Sequence, residues 1–226
     1  MRKIPFFIIL LFFSSCMKEK LYLEYDQVID MDENVYHSVT IGSQVWLKEN
    51  LKTIKFNDNT SIPNLKEDVD WANTFSPAYC WYYNIVDRTS DKGILYNWYA
   101  VNTKKLCPVG WHVPSDQEWK DLEIYIGMKD VDSLNWRGKG LATSLKTNHD
   151  WHEPGTDDYG FSALPSGFRS ASNGHFEEYD QQADWWCDDE QDFDYALRRG
   201  IVIYRDDIYR NSCPKNNGIS VRCIKN

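Results

Sequence analysis

His149-Asp150-Trp151-His152-Glu153 sets two imidazoles and two carboxylates side by side, with Asp157 and Asp158 just downstream. Neutral imidazole and carboxylate are zinc ligands, so the cluster around His149 and His152 raises an exported metal-dependent enzyme as one reading. The helical His-Glu-x-x-His order is absent, and Pro154-Gly155 places the segment in a loop, where a solvated polar turn is the simpler account. Asp188-Asp189-Glu190, with Asp192 and Asp194, offers the hard oxygen ligands that calcium prefers. A run of carboxylates also fits a solvated loop, and no motif here indicates the ion. Ser166 stands in Pro165-Ser166-Gly167, without the Gly-x-Ser-x-Gly frame of a nucleophile elbow. The expectation is a protein with no catalytic residues and no resident cofactor.

Aromatic side chains are the other chemical resource: ten Trp, fourteen Tyr and ten Phe. They bury large areas in cores and also form flat platforms that stack on sugar rings. Trp151, Trp185 and Trp186 lie in the Gly- and Asp-rich second half, where loops carry function. They are the candidate stacking platforms for a glycan, against the plainer alternative of core packing.

Beyond Cys16 the thiols are Cys80, Cys107, Cys187, Cys213 and Cys223. Five thiols allow at most two bridges with one left over, and spacing alone does not fix connectivity. No Cys-x-x-Cys is present, which argues against a zinc knuckle or a thioredoxin-like redox site. The formal charge is −9. Nucleic-acid affinity comes mainly from neutralising phosphate, so nucleic acid is excluded as a partner.

The elements that must position these residues are partly legible. Val39 and Ile41, then Gly42-Ser43, then Val45 and Leu47 predict a hairpin with a type II′ turn. Pro114-Ser115-Asp116-Gln117-Glu118-Trp119 predicts a helix opened by a Ser115–Glu118 capping box, with Trp119, Leu122 and Ile126 on one face and Gly127 as the stop. Tyr79–Tyr83 is dense with β-formers, and Ile94–Val101 is an apolar block of unsettled type. Phe161–Leu164, Gly167–Arg169, Trp185-Trp186, Ile201–Tyr204 and Ile219–Ile224 read as short strands. In the last, Ile219, Val221 and Cys223 face one way and Ser220 and Arg222 the other. The class expected is α+β: one or two early helices, then short antiparallel strands with long loops.

At the N-terminus, Arg2-Lys3, an apolar run from Ile4 to Phe13, and Ser14-Ser15 before Cys16 form a secretory signal too short to span a bilayer. The arrangement resembles a bacterial lipoprotein signal, except that Phe13 stands where Leu is usual. The resemblance implies a signal peptide over 1–15, a lipidated Cys16 and an outer-membrane location, since Met17 rather than Asp follows. Loss of Arg2 and Lys3 with the signal takes the formal charge from −9 to −11, which leaves anchoring to the lipid. Residues 16–34 read as an acidic spacer with little fixed structure, and residues 35–226 as one domain.

Six motifs in order, beginning with Val39–Leu51, carry a second resemblance. The others are Pro77–Asn84, Leu95–Val101, Leu106–Ser115, Gly160–Pro165 and Ser220–Cys223. The chain is similar to the Fibrobacter succinogenes major paralogous domain, common on Bacteroidota-type lipoproteins. The resemblance implies a relative of the C-type-lectin-like fold, in which N- and C-terminal strands pair and an early helix packs beneath. It implies no activity. The Glu-Pro-Asn and Trp-Asn-Asp patterns of sugar-binding C-type lectins are missing. It also suggests the thiol pairs: Cys107 with Cys223, and Cys187 with Cys213, with Cys80 left over and Cys80–Cys107 as the alternative. The expected function is a non-catalytic binding or adhesion module on a lipid tether, for a glycan or another envelope protein.

Overall fold

The computed structural model describes residues 27–86 and 90–226. The signal peptide and Cys16 lie outside the described residues. Chain order is β1 (Gln27–Ile29), β2 (Val35–Ile41), β3 (Gln44–Leu47), α1 (Asp68–Ala72), β4 (Tyr79–Cys80), β5 (Leu95–Tyr96), α2 (Trp98–Val101), β6 (Trp111–His112) and α3 (Asp116–Tyr125). There follow β7 (Asn135–Arg137), β8 (Phe168–Arg169), β9 (Phe176–Glu177), β10 (Gln182–Glu190), β11 (Tyr195–Val202), β12 (Ile208–Pro214) and β13 (Ile224–Lys225). The strands form a five-stranded sheet, β1-β2-β3-β13-β6, and a four-stranded sheet, β10-β11-β12-β7. Two small hairpin-like pairs, β4-β5 and β8-β9, complete an α+β molecule whose strand pairings are antiparallel.

The hairpin forms as its alternation requires. Ile41 pairs with Gln44 across Gly42-Ser43, and Gly42 takes the positive φ of +64° that the turn demands. The C-terminal β13 joins this hairpin between β3 and β6, and a Cys107–Cys223 disulfide ties the segment before β6 to the chain end. The helix α3 begins as the sequence dictates. Ser115 Oγ accepts from Glu118 N at 3.3 Å, and the Glu118 carboxylate accepts from Ser115 N at 2.8 Å. Its Trp119, Leu122 and Ile126 enter one core cluster together.

Three expectations change. Residues 27–34 are not loose spacer: β1 pairs with β2, and Asp32 accepts from the backbone amides of Ile54 and Lys55 at 2.7 and 3.0 Å. The acids there are used as turn and loop acceptors. Phe161–Leu164 is not a strand, because Ser162 sits at φ +56° and Pro165 has no N–H to donate; a single bridge from Ala163 to Lys146 remains. Residues 219–223 form only isolated bridges, although their alternation holds. Ile219, Val221 and Cys223 enter one core cluster, while Arg222 on the other side lies 4.4 Å from the Phe161 ring.

The four-stranded sheet is joined to α3 by buried charge. Asp116 accepts from Arg199 Nη1 at 2.9 Å, and Glu123 accepts from Arg199 Nε at 2.7 Å and Arg137 Nη2 at 2.5 Å. Arg199 is completely buried, so its guanidinium persists only because carboxylates surround it.

Candidate functional site

The three tryptophans expected as platforms are inside the protein. Trp151, Trp185 and Trp186 are 4%, 1% and 0% exposed. Each indole N–H is satisfied internally: Trp151 donates to Ala163 O (2.8 Å), Trp185 to Asn50 Oδ1 (2.9 Å) and Trp186 to Tyr96 O (2.8 Å). For Trp185 and Trp186 the reason is the position of β10, which is covered on both faces. Trp186 packs into the cluster containing Val221, and Trp185 into the one containing Trp119. Neither ring is free to stack on a sugar.

The second expected disulfide is also absent. Cys187 and Cys213 are unbridged and buried, as is Cys80. β11 lies between β10 and β12, which separates their thiols by two strand spacings, roughly 10 Å. They also belong to different core clusters, on opposite faces of the sheet. A bridge needs Cα atoms within about 7 Å. Cys187 Sγ instead meets Arg199 Nη1 at 3.4 Å. Burial pushes the Cys80 and Cys213 thiols up to about 12, and the Cys187 thiol is raised as well. The Cys80–Cys107 alternative falls with the bridge that forms.

The candidate metal ligands are dispersed onto separate partners. His149 meets Asn148 Oδ1 at 2.8 Å and Asp150 Oδ2 at 3.2 Å, His152 is exposed, and Asp157 accepts from Ser162 N and Oγ. Asp188 pairs with Lys104, Asp189 accepts from the first amide of α3, Glu190 pairs with Lys215, and Asp192 closes its own turn. Among the described residues no three His, Cys, Asp or Glu converge as a metal site. Ser166 shares a buried hydrogen bond with Ser220.

One aromatic assembly does reach the surface, and only its Tyr82 and Tyr83 lie in a block that the sequence marks, as β-formers. It starts at buried Trp71 on α1. The Arg169 guanidinium sits between two rings, 4.7 Å from Trp71 and 4.6 Å from Phe176. It is held there by bonds to Leu65 O (2.6 Å), Lys66 O (2.8 Å) and Gly174 O (2.7 Å). Phe176 in turn meets Tyr82 at 5.1 Å and Tyr83 at 5.4 Å. Tyr82 packs against Tyr179 at 4.6 Å and takes Tyr83 edge-on at 4.8 Å. Lys92 Nζ lies 4.3 Å from the Tyr179 ring. Gly167 makes this possible: a Cβ there would stand 2.5 Å from Tyr82 Cε2 and 2.7 Å from the Glu177 carbonyl.

The ladder ends on Tyr83, whose residue is 61% exposed. Its backbone is left-handed at φ 51° and ψ 18°, and Asn84 follows at φ 57°. Such a conformation costs an aromatic residue roughly 1–2 kcal/mol. Glu178 and Asp180 beside Tyr179 are left-handed too, at φ 59° and 62°. Asn84 Nδ2 donates to Lys66 O at 3.2 Å, while its buried Oδ1 has no partner. Burial, with the neighbouring Tyr83 adding to it, raises the Tyr82 phenol, and burial raises Tyr179. Among the described residues the arrangement consists of packed rings with polar groups around them. An Asn one position after a Tyr-Tyr pair is the sequence signal for the left-handed step.

A family profile described as the Fibrobacter succinogenes major domain matches residues 39–225. No curated protein matches. No solved structure matches either.

Proposed function

The chain belongs to the Fibrobacter succinogenes major domain family, and from that premise we propose that it is an exported, lipid-anchored, non-catalytic binding module of the outer membrane, with a C-type-lectin-like body. Cys16 is the acylated residue, and the bilayer is its first partner. The pairing of the C-terminal strand with the first hairpin, and the capped helix beside it, support the lectin-like relationship.

The observation that carries the reading is the division of labour among polar and aromatic groups. The imidazoles, acidic loop and thiols that suggested chemistry hold the body together or face solvent singly, while a braced aromatic surface remains open at Tyr83. That division suits a rigid platform for a ligand better than it suits turnover.

The test uses cells making the native chain or its Cys16→Ala form, and a panel of fluorescent neutral and acidic polysaccharides. The native chain is expected to hold a panel member in the membrane pellet, and the Cys16→Ala chain to hold it in the soluble fraction. Loss of binding in both fractions, or release of chemically altered polymer, contradicts the proposal.

A further inference from the structure

We propose that Tyr83, backed by Tyr82, Phe176 and Tyr179, is a stacking subsite for a neutral, hydroxyl-rich saccharide chain. This deepens the binding-module reading and rests on it. Three features of the molecule carry it.

The first is the openness of the ring combined with the rigidity of its support. Several aromatic side chains are more exposed than Tyr83, Phe193 and Tyr204 among them. Tyr83 differs in being packed against two further rings that lead back, through Arg169, to a fully buried tryptophan. A pyranose gains from stacking when the aromatic face is already fixed, because little side-chain freedom is then lost on binding. The ring pair at Trp136 and Tyr209 is different. There Trp136 has the Arg205 guanidinium at 4.6 Å and Tyr209 at 4.9 Å, and Tyr209 has Arg198 at 4.8 Å. The protein itself already occupies those rings.

The second is conformational cost. Tyr83 and Asn84 form a left-handed pair, and the Asn84 side chain leaves a buried acceptor without a partner. An unsatisfied buried oxygen and a strained aromatic at one step are both features that folds retain where a side chain must be aimed. Here the aim is outward.

The third is the charge around the rings. Glu178 and Asp180 flank Tyr179 in the chain, and Glu177 precedes them in β9. Acidic surroundings oppose uronate or sulfated polymers and nucleic acid, and they offer acceptors to the hydroxyls of a neutral sugar. A cationic ligand is disfavoured because the cluster supplies its own cation, Lys92, over Tyr179 and paired with Asp180. Among the described residues the assembly presents one largely exposed ring, Tyr83, rather than a cage of rings, which suits a pyranose.

Affinity gel electrophoresis tests this with the full chain carrying Cys16→Ser. The gels contain a neutral β-glucan, mannan or xyloglucan, or else polygalacturonate or polylysine. At least one neutral polymer is expected to retard the chain. Tyr83→Gly removes the ring while relieving the left-handed strain, so it keeps the fold, and it is expected to weaken retardation about tenfold. Tyr83→Phe and Trp136→Ala are expected to bind within about twofold of the parent. Undiminished retardation of a folded Tyr83→Gly protein overturns the subsite and leaves the binding module standing. Retardation only by polygalacturonate or polylysine overturns the neutral-saccharide assignment alone. No retardation by any polymer overturns both.

Discussion

Asp116 and Arg210 meet through two hydrogen bonds, 2.8 Å from Nε and 2.7 Å from Nη2, which join the first turn of α3 to β12. Burial alone would raise the Asp116 carboxyl, but the Arg210 hydrogen bonds and the Arg199 charge outweigh it and hold the group well below its ordinary value. A depressed native pKa means that the unfolded chain binds the proton more tightly. The stabilisation is therefore fully present above the ordinary carboxylate value of about 3.9 and disappears as pH falls through the native one.

The expected outcome is a loss of stability on acidification below about pH 4, with a shallower loss in Asp116→Asn. Urea midpoints measured from pH 7 to pH 2 check it. Parallel profiles for the two proteins would show that the ion pair does not contribute to the acid limb.

Glu123 lies between Arg199 and Arg137 with its carboxylate fully buried. Glu123→Gln leaves the buried Arg137 guanidinium without its counter-charge and Arg199 with Asp116 alone, and the cost is about 3–5 kcal/mol. A urea titration at pH 7 reads this directly. A change below 1 kcal/mol would mean that water reaches the cluster.

The Cys107–Cys223 bridge spans a sequence separation of 116. Opening a loop of that length costs about 4–5 kcal/mol in the chain-entropy treatment. A Cys107→Ser, Cys223→Ser double variant is expected to lose that much, by chemical denaturation. Cys80, Cys187 and Cys213, all buried with raised thiols, are expected to resist a thiol reagent in the native protein and to react together in guanidinium. Rapid native labelling at any of them would contradict their placement.

Trp185→Ala is expected to destabilise the fold by about 3–5 kcal/mol, because it empties a core site. Polysaccharide binding by the surviving folded fraction should match that of the parent. Calorimetry and gel retardation on one preparation separate the two effects.

What the sequence revealed follows from the range of the forces involved. The capping box at Ser115 and the Gly42-Ser43 turn are set within a few residues, and both stand as read. The tryptophans were misjudged because a Gly- and Asp-rich half of the chain reads as functional loop, and local composition does not show which segments are covered by the rest of the fold. β10 lies between two core clusters, so consecutive Trp185 and Trp186 are both interior. The Cys187–Cys213 pairing failed for a related reason, since only the strand order places β11 between them. Tyr83 escaped notice inside a block of β-formers. Its support comes from Phe176, packed against it, and from Gly167, which leaves room for the neighbouring Tyr82, both more than eighty residues away in the chain.

The central claim is that this body is held to a membrane through Cys16, and mass spectrometry of the N-terminal peptide tests it most directly. Protein extracted from membranes of cells fed an alkyne fatty acid is expected to begin at Cys16 and to carry the label there, and Cys16→Ala is expected to carry none. An unlabelled N-terminus at another residue, or membrane fractionation unchanged by Cys16→Ala, would contradict the account.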